Sequence, residues 1–318
     1  MGELEYQNRR NFIFKIVGGF TALLTLSSFR LLKQKKTKTT KITILHTNDM
    51  HSHIDPFDVN DKNHPNKGGM VRVASLVNEI RKKEEYVILL DAGDIFQGTP
   101  YFNIFKGEVE YKLMSAMQYD ASTLGNHDFD NGLEGIKNML PYAKFPFVCS
   151  NYDFSATILN NQTIKYKIIK KGNIKVGIFG IGIKLEGLVT KDLYHQTKYL
   201  DPYVTANHYA KLLKEKEKCS IVICLSHLGY NYEEAEKASD INLAEKTKNI
   251  DLIIGGHTHT FLEQAVVHKN LIGKEILINQ AGWGALNLGR LDFYFTKKNS
   301  QRIDLDASTN YTKNYAKI

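Results

Sequence analysis

The chain reads as one α/β domain built on mixed sheets, and three observations carry that reading. From Ile42 onward short apolar runs alternate with amphipathic segments, the C-terminal third strings strand-like runs together, and no Pro/Gly/Ser-rich linker or internal repeat divides the chain. At 318 residues, 42% hydrophobic and 24% charged, it is long enough to bury a large core.

Each element follows from its own residues. "KITILH" is a β-rich run and reads as the first strand; "VRVASLVNEIRKKEE" places apolar residues at helical spacing; "YVILLDAGD" is a continuous apolar run, as a strand buried on both faces requires. "EYKLMSAMQ" reads as a helix, "DASTL" as a short strand, "LEGIKNMLPYAK" as a helix and "FPFVCSN" as a strand. "TIKYKIIKKGNIKVGIFGIG" holds two β-rich runs about Gly172-Asn173, the pattern of a hairpin. A helix in "YVTANHYAKLLKEKE" follows, and then the strands "SIVICLSH", "DLIIGGH", "EQAVVHK", "KEILINQ" and "LGRLDFYFT".

The formal charge of +8 is unevenly placed. Residues 1–41 carry nine Lys or Arg against Glu3 and Glu5, a net of +7, which leaves +1 for the remainder. The basic balance belongs to the leader, so a nucleic-acid partner loses its main support. Arg9 and Arg10, the apolar run Ile16 to Phe29 and the lysine-rich "KQKKTKTTK" give residues 1–41 the order of an export leader resembling a twin-arginine signal. It implies a periplasmic protein or one held on the outer face of the inner membrane. Residues 12–32 are also nearly long enough for an uncleaved membrane anchor, and no A-x-A site decides between anchoring and cleavage. Cys149, Cys219 and Cys224 are odd in number, lack CxxC spacing and lie in apolar runs, so they read as buried hydrophobes.

The chemistry-bearing residues cluster at predicted strand ends. "ILHTNDMHSHID" places Asp49, His51 and His53 within five residues after the first strand, and alternation along a strand would turn Asp49 and His51 to one side. Alone, that fragment reads better as an ordinary solvated loop. Asp94 follows "VILLDAG"; Asn126, His127 and Asp130 follow "DASTL"; His227 follows "IVICLS"; His257 and His259 follow "LIIGG". In α/β sheets ligands gather at the carboxyl ends of strands, so five ends can converge on one crevice. Carboxylate and imidazole donors without thiolates suit a pair of zinc, manganese or iron ions and exclude a zinc finger. His53 shares the strand face of His51 but reads as a surface histidine, and His64, His195, His208 and His268, outside the motifs, read as ordinary ones.

Together these residues follow the calcineurin-like metallophosphoesterase pattern D-x-H, G-D, G-N-H-[DE], H and G-H-x-H. "LDAGDIFQGTP", "LGNHDFDNG", "GGHTHTFLEQ" and "QAGWGALNLGRLDF" more closely resemble the catalytic domain of the secreted 5′-nucleotidase family, from about Ile42 to Phe295. The resemblance implies a four-layer α-β-β-α sandwich with two mixed sheets over residues 42–318. It also implies two divalent metal ions: Asp49, His51 and His259 on one, Asn126, His227 and His257 on the other, and Asp94 bridging them. His127 and Asp130 match the family's catalytic dyad.

The expected activity is 5′-nucleotidase-type hydrolysis of a phosphate ester. Cyclic nucleotide phosphodiesterase, nucleotide-sugar hydrolase and thiol-bound sulfate hydrolase are the alternatives within the motif set, and a non-catalytic metal-dependent binding module the alternative outside it. Secreted 5′-nucleotidases usually continue into a second, nucleotide-specificity domain, whereas this sequence runs only 23 residues beyond Phe295. That domain is accordingly expected to be absent, and a separately encoded nucleotide-binding chain is the expected partner.

Overall fold

The computed structural model describes residues 39–296 and the backbone of 302–306. The leader's residues 1–38, with the anchor reading of residues 12–32, lie outside the described residues. Among those described, no helix is long and apolar enough to cross a membrane.

Two mixed sheets form the centre. The first has five strands, β1 (Thr39–Thr47), β2 (Val87–Asp91), β3 (Ala121–Ser122), β12 (Gly289–Thr296) and β13 (Arg302–Asp306), in the order β13-β12-β1-β2-β3. The second runs β10-β11-β9-β8-β6-β5, from β5 (Tyr166–Lys171), β6 (Ile174–Gly182), β8 (Ile221–His227), β9 (Leu252–Ile254), β10 (Val266–Lys269) and β11 (Glu275–Asn279). In each, a parallel core (β1-β2-β3; β6-β8-β9-β11) is flanked by antiparallel strands. A small ribbon, β4 (Tyr152–Asp153) with β7 (Lys198–Tyr199), stands apart.

Strand alternation sorts the core into layers. Ile42, Ile44, Ile88 and Leu90 of the first sheet meet Val176, Ile178, Ile221, Ile223 and Ile254 of the second in one buried cluster. The opposite face of the first sheet, Leu45 and Leu89 among others, packs under α1 (Met70–Lys83), α3 (Glu108–Ala116) and α4 (Gly132–Met139). The opposite face of the second, with Phe179, Val222, Cys224 and Ile253, is covered by α6 (Pro202–Lys211) and α7 (Asp240–Lys246). The order helix-sheet-sheet-helix is the expected four-layer sandwich. Local sequence accounts for the helices: α1 buries Val73, Leu76, Val77 and Ile80 at helical spacing, and α6 starts at Pro202 under an Asp201 cap that accepts from Val204 N–H at 2.8 Å.

Three expectations shift. "FPFVCSN" makes only single bridges, Ser122 to Phe147 and Val148 to Ile164, while its apolar side chains fill the core. The helix read from Leu133 ends at Met139 and tightens to a 3₁₀ turn over Leu140–Tyr142, where Pro141 cannot supply an amide. The helix read to Glu217 widens into a π turn over Leu212–Lys216. Short α2 (Pro100–Phe105), α5 (Lys191–Tyr194) and α7 gave too few turns to show a period. Cys149, Cys219 and Cys224 are buried and unbridged, as expected.

Candidate metal centre

The site forms where the parallel strands of both sheets end together. β1 ends at Thr47 and β2 at Asp91, and β8 carries His227 as its last residue. Asp49, His51, Asp94, His257 and His259 all lie beyond strand ends with positive φ, from 48° to 75°. Strand alternation therefore does not bring Asp49 and His51 together, contrary to the expectation from their spacing. The left-handed loop does, at a backbone cost of about 1–3 kcal/mol per residue for a non-glycine side chain.

The donors fall into two groups. Asp49, His51 and His259 form one and Asp94, His227 and His257 the other, each with its donor atoms within 4.8 Å of one another. In the first, His51 Nε2 lies 3.0 Å from His259 Nε2, and His259 Nε2 is 3.5 Å from Asp49 Oδ1. Asp94 reaches both: its Oδ2 is 3.0 Å from His227 Nε2 and 4.0 Å from His51 Nε2. Two buried side-chain atoms lack a hydrogen bond: Asn126 Oδ1, next in sequence to Gly125 and His127, and His227 Nε2, which lies beside Asp94 without hydrogen-bond alignment. Carboxylate, carboxamide and imidazole donors, two of them orphaned and two imidazole nitrogens facing at 3.0 Å, fit a pair of divalent cations.

The donors are braced from behind. Phe96 C=O at 3.1 Å and Ala92 C=O at 2.7 Å engage the Nδ1 atoms of His51 and His227, which aims each Nε2 inward. The Asp49 carboxylate accepts from His257 N–H at 3.0 Å on both oxygens, and Asn48 donates to it while also bonding Gly282 C=O and Ala281 N–H. Gly125 passes so close beneath Asp94 and His227 that a Cβ would lie 2.2 Å from Asp94 Oδ1 and 2.6 Å from His227 Nε2. Only glycine fits there.

Electrostatics follow from burial. Burial pushes the Asp49 carboxyl up to about 8 and His257 and His259 down to about 3 and about 4. His227 is more deeply buried than either of these histidines, but the attraction of Asp94 outweighs the burial penalty and lifts it to about 10, while Asp94 is held below the ordinary carboxylate range. Cation binding requires the neutral imidazole, so loading releases protons.

His127 sits at the rim. One 3₁₀ turn, His127–Phe129, brings its Nδ1 to 2.9 Å from Asp130 Oδ2, the pairing expected from their spacing. Its ring centroid lies 5.3 Å from that of His51, and its backbone N–H donates to Asp94 Oδ1 at 2.8 Å. The Asp130 hydrogen bond raises its pKa.

Three residues given no role at the sequence level prove central. Asp128, the last letter of the G-N-H-[DE] pattern, is fully buried and accepts four backbone amides, those of Asp94, Ile95, Phe96 and Gly125, tying the second donor loop to the third. Asn48 joins the first loop to residues 281–282, a role no spacing announces. His53 is not a surface residue: it is half-buried, stacked on Phe57 at 4.3 Å and edge-on to Trp283 at 5.3 Å.

Comparison with known proteins gives the same fold. The calcineurin-like phosphoesterase family profile matches residues 42–261. The chain is 37% identical over 229 residues to snake venom 5′-nucleotidase of Crotalus adamanteus, covering 70% of this chain and 37% of that protein. It is 34% identical over 239 residues to the 5′-nucleotidase of Homo sapiens, covering 70% and 38%. Among solved structures it resembles a 5′-nucleotidase precursor from Thermus thermophilus, with TM-score 0.75 and 29% identity over 85% of this chain and 55% of that one. The chain spans less than two fifths of the length of these curated relatives.

Proposed function

The chain belongs to the calcineurin-like phosphoesterase family, and on that premise we propose that it hydrolyses phosphate esters of nucleotides in the manner of a 5′-nucleotidase. The observation that carries the reading is the pair of three-residue donor groups joined through Asp94, with the His127–Asp130 pair at their rim. Asp49, His51 and His259 would hold one divalent ion and Asn126, His227 and His257 the other, with Asp94 within reach of both. Once bound, the ions supply Lewis-acid neutralisation of phosphoryl charge and lower the pKa of water. The chain itself fixes the donors on braced loops, so little reorganisation remains when substrate arrives. Asp130 holds His127 Nδ1, leaving Nε2 to donate a proton to the departing alkoxide, a contribution of roughly 10²- to 10⁴-fold.

A phosphate-release screen over nucleoside monophosphates, cyclic nucleotides, nucleotide sugars and a simple chromogenic ester, with added manganese, tests the reading. The nucleoside monophosphate should be the best substrate. Preference for a cyclic nucleotide or nucleotide sugar would move the substrate class, and no release from any ester would favour a binding module. The basic, twin-arginine-like leader supports export to the periplasm. Arg9→Lys with Arg10→Lys should retain the protein inside the cell, and unchanged export would refute that route.

A further inference from the structure

The imidazoles in the two donor groups are not held alike. His51 and His227 are clamped at Nδ1 by the carbonyls of Phe96 and Ala92. His257 is half-buried against His227, ring centroids 5.4 Å apart, with its backbone on Asp49. His259 has neither support: its side chain is 39% exposed, and no described residue hydrogen-bonds its Nδ1. An unclamped imidazole at the rim keeps rotational freedom that a ligand must lose on binding.

Against that ring lies the chain's one tryptophan. The Trp283 indole is parallel to the His259 imidazole within 10°, centroids 5.4 Å apart, the geometry of an offset stack. Trp283 is itself fixed edge-on by Phe57 and His53, each 5.3 Å away. Gly284 follows with φ 61°, and a Cβ there would lie 2.7 Å from the Phe57 ring, so the turn needs glycine. The Gly284 N–H also donates to Asp49 C=O at 2.8 Å, and His53 Nδ1 lies 3.0 Å from His51 C=O. The aromatic group is thereby anchored to the backbone of both other donors in the same set, Asp49 and His51.

We propose that Trp283 is a positioning residue for the first metal ion: its indole, stacked on the face of the His259 ring rather than bonded at Nδ1, restricts that ring as the carbonyl clamps restrict His51 and His227, and it holds His259 in the orientation that completes the site. The inference rests on the two-metal reading above. The indole has no acid–base or ligand role, so its effect lies in affinity and selectively at one of two sites.

The test is cation titration of the full chain after chelator treatment, with manganese and separately zinc as probes, read by calorimetry and elemental analysis. Trp283→Leu should weaken one of two binding steps by about 10- to 100-fold, the usual effect of losing an outer partner, and leave the other step unchanged. Trp283→Phe should restore most of the loss, since a ring can still stack. In the wild type, emission from the sole tryptophan should change as that step fills, and His259→Ala should shift the metal-free emission, because the stacked imidazole is gone, and remove the further change on adding the ion. Wild-type affinity in Trp283→Leu, or an emission change that survives His259→Ala, overturns the proposal. Should Trp283→Leu fail to fold, Trp283→Phe and the His259→Ala emission experiment decide it. A wild-type chain that binds no ion would sink the two-metal reading itself, a result distinct from either.

Discussion

Asp128→Asn offers the sharpest test of how the site is held together. In the native loop pair Oδ2 accepts from Asp94 N–H at 3.0 Å and Gly125 N–H at 2.8 Å, and Oδ1 from Ile95 N–H at 3.0 Å and Phe96 N–H at 3.4 Å. A carboxamide can satisfy one pair only, since its NH₂ would face the other pair donor to donor. Two buried hydrogen bonds to a charged acceptor are lost, each contributing about 1.5–3 kcal/mol, so the variant should be destabilised by about 3–6 kcal/mol. At about 2–4 °C per kcal/mol for a chain of this order, Tm should fall by at least about 6 °C. Burial and the neighbouring Asp94 push the Asp128 carboxyl up to about 7. The comparison therefore belongs at roughly pH 8.5, where the wild-type group is ionised. Differential scanning calorimetry with chelator and with manganese gives the shift; the loaded protein should lose more, because the loops bearing Asp94 and Asn126 are no longer fixed to each other. A fall in Tm below about 2 °C with unchanged metal affinity would refute the account of Asp128 as the tie between loops.

Other expectations are more local. Asp94→Asn should abolish hydrolysis and reduce bound metal from two ions towards one or none by elemental analysis, since its carboxylate lies within reach of both groups; two tightly held ions would remove its shared role. His127→Ala should keep its metal and lose turnover by about 10²-fold or more, whereas His257→Ala should lose metal; equal metal loss would place His127 among the ligands. His46 is fully buried with neither ring nitrogen bonded, and burial lowers its pKa to about 3. The unfolded chain takes up that proton near the ordinary value of 6.5 while the folded chain resists it to about 3, so its share of stability is complete above 6.5 and is lost as pH falls through this window. The loss should reach about 5 kcal/mol, and urea midpoints for wild type and His46→Leu should diverge in slope there; parallel curves would show that His46 does not titrate on unfolding.

The layers were legible because β-rich and helical periods are strong where elements are long. Ile42 and Ile44 and the run from Val87 announced strands whose two faces both turned out to be buried. The donors were legible because aspartate and histidine recur after each such run, and the spacing of His127 and Asp130 already held the turn that joins them. What was hidden depends on contacts remote in sequence or on backbone sign. Asn48 reaches across to Ala281 and Gly282, the Asp128 carboxylate collects amides from a loop more than thirty residues away, and no local pattern marks either. The left-handed conformation of Asp49 and His51 was likewise invisible, since glycine alone marks it strongly in a sequence, and aspartate and histidine, though enriched there, adopt other conformations far more often.

That left-handed backbone sets the donor residues at odds with the fold that carries them. At Asp49, His51, Asp94, His257 and His259 the side chain is needed for the ion, yet the backbone there would be more relaxed with glycine. Selection for thermal persistence alone would therefore erode these positions first, and chains drifting away from catalysis should show glycine at several of them before any change in the core. A donor-to-glycine variant that melts higher than the wild type without metal, and lower with it, would be an individual case of the same conflict.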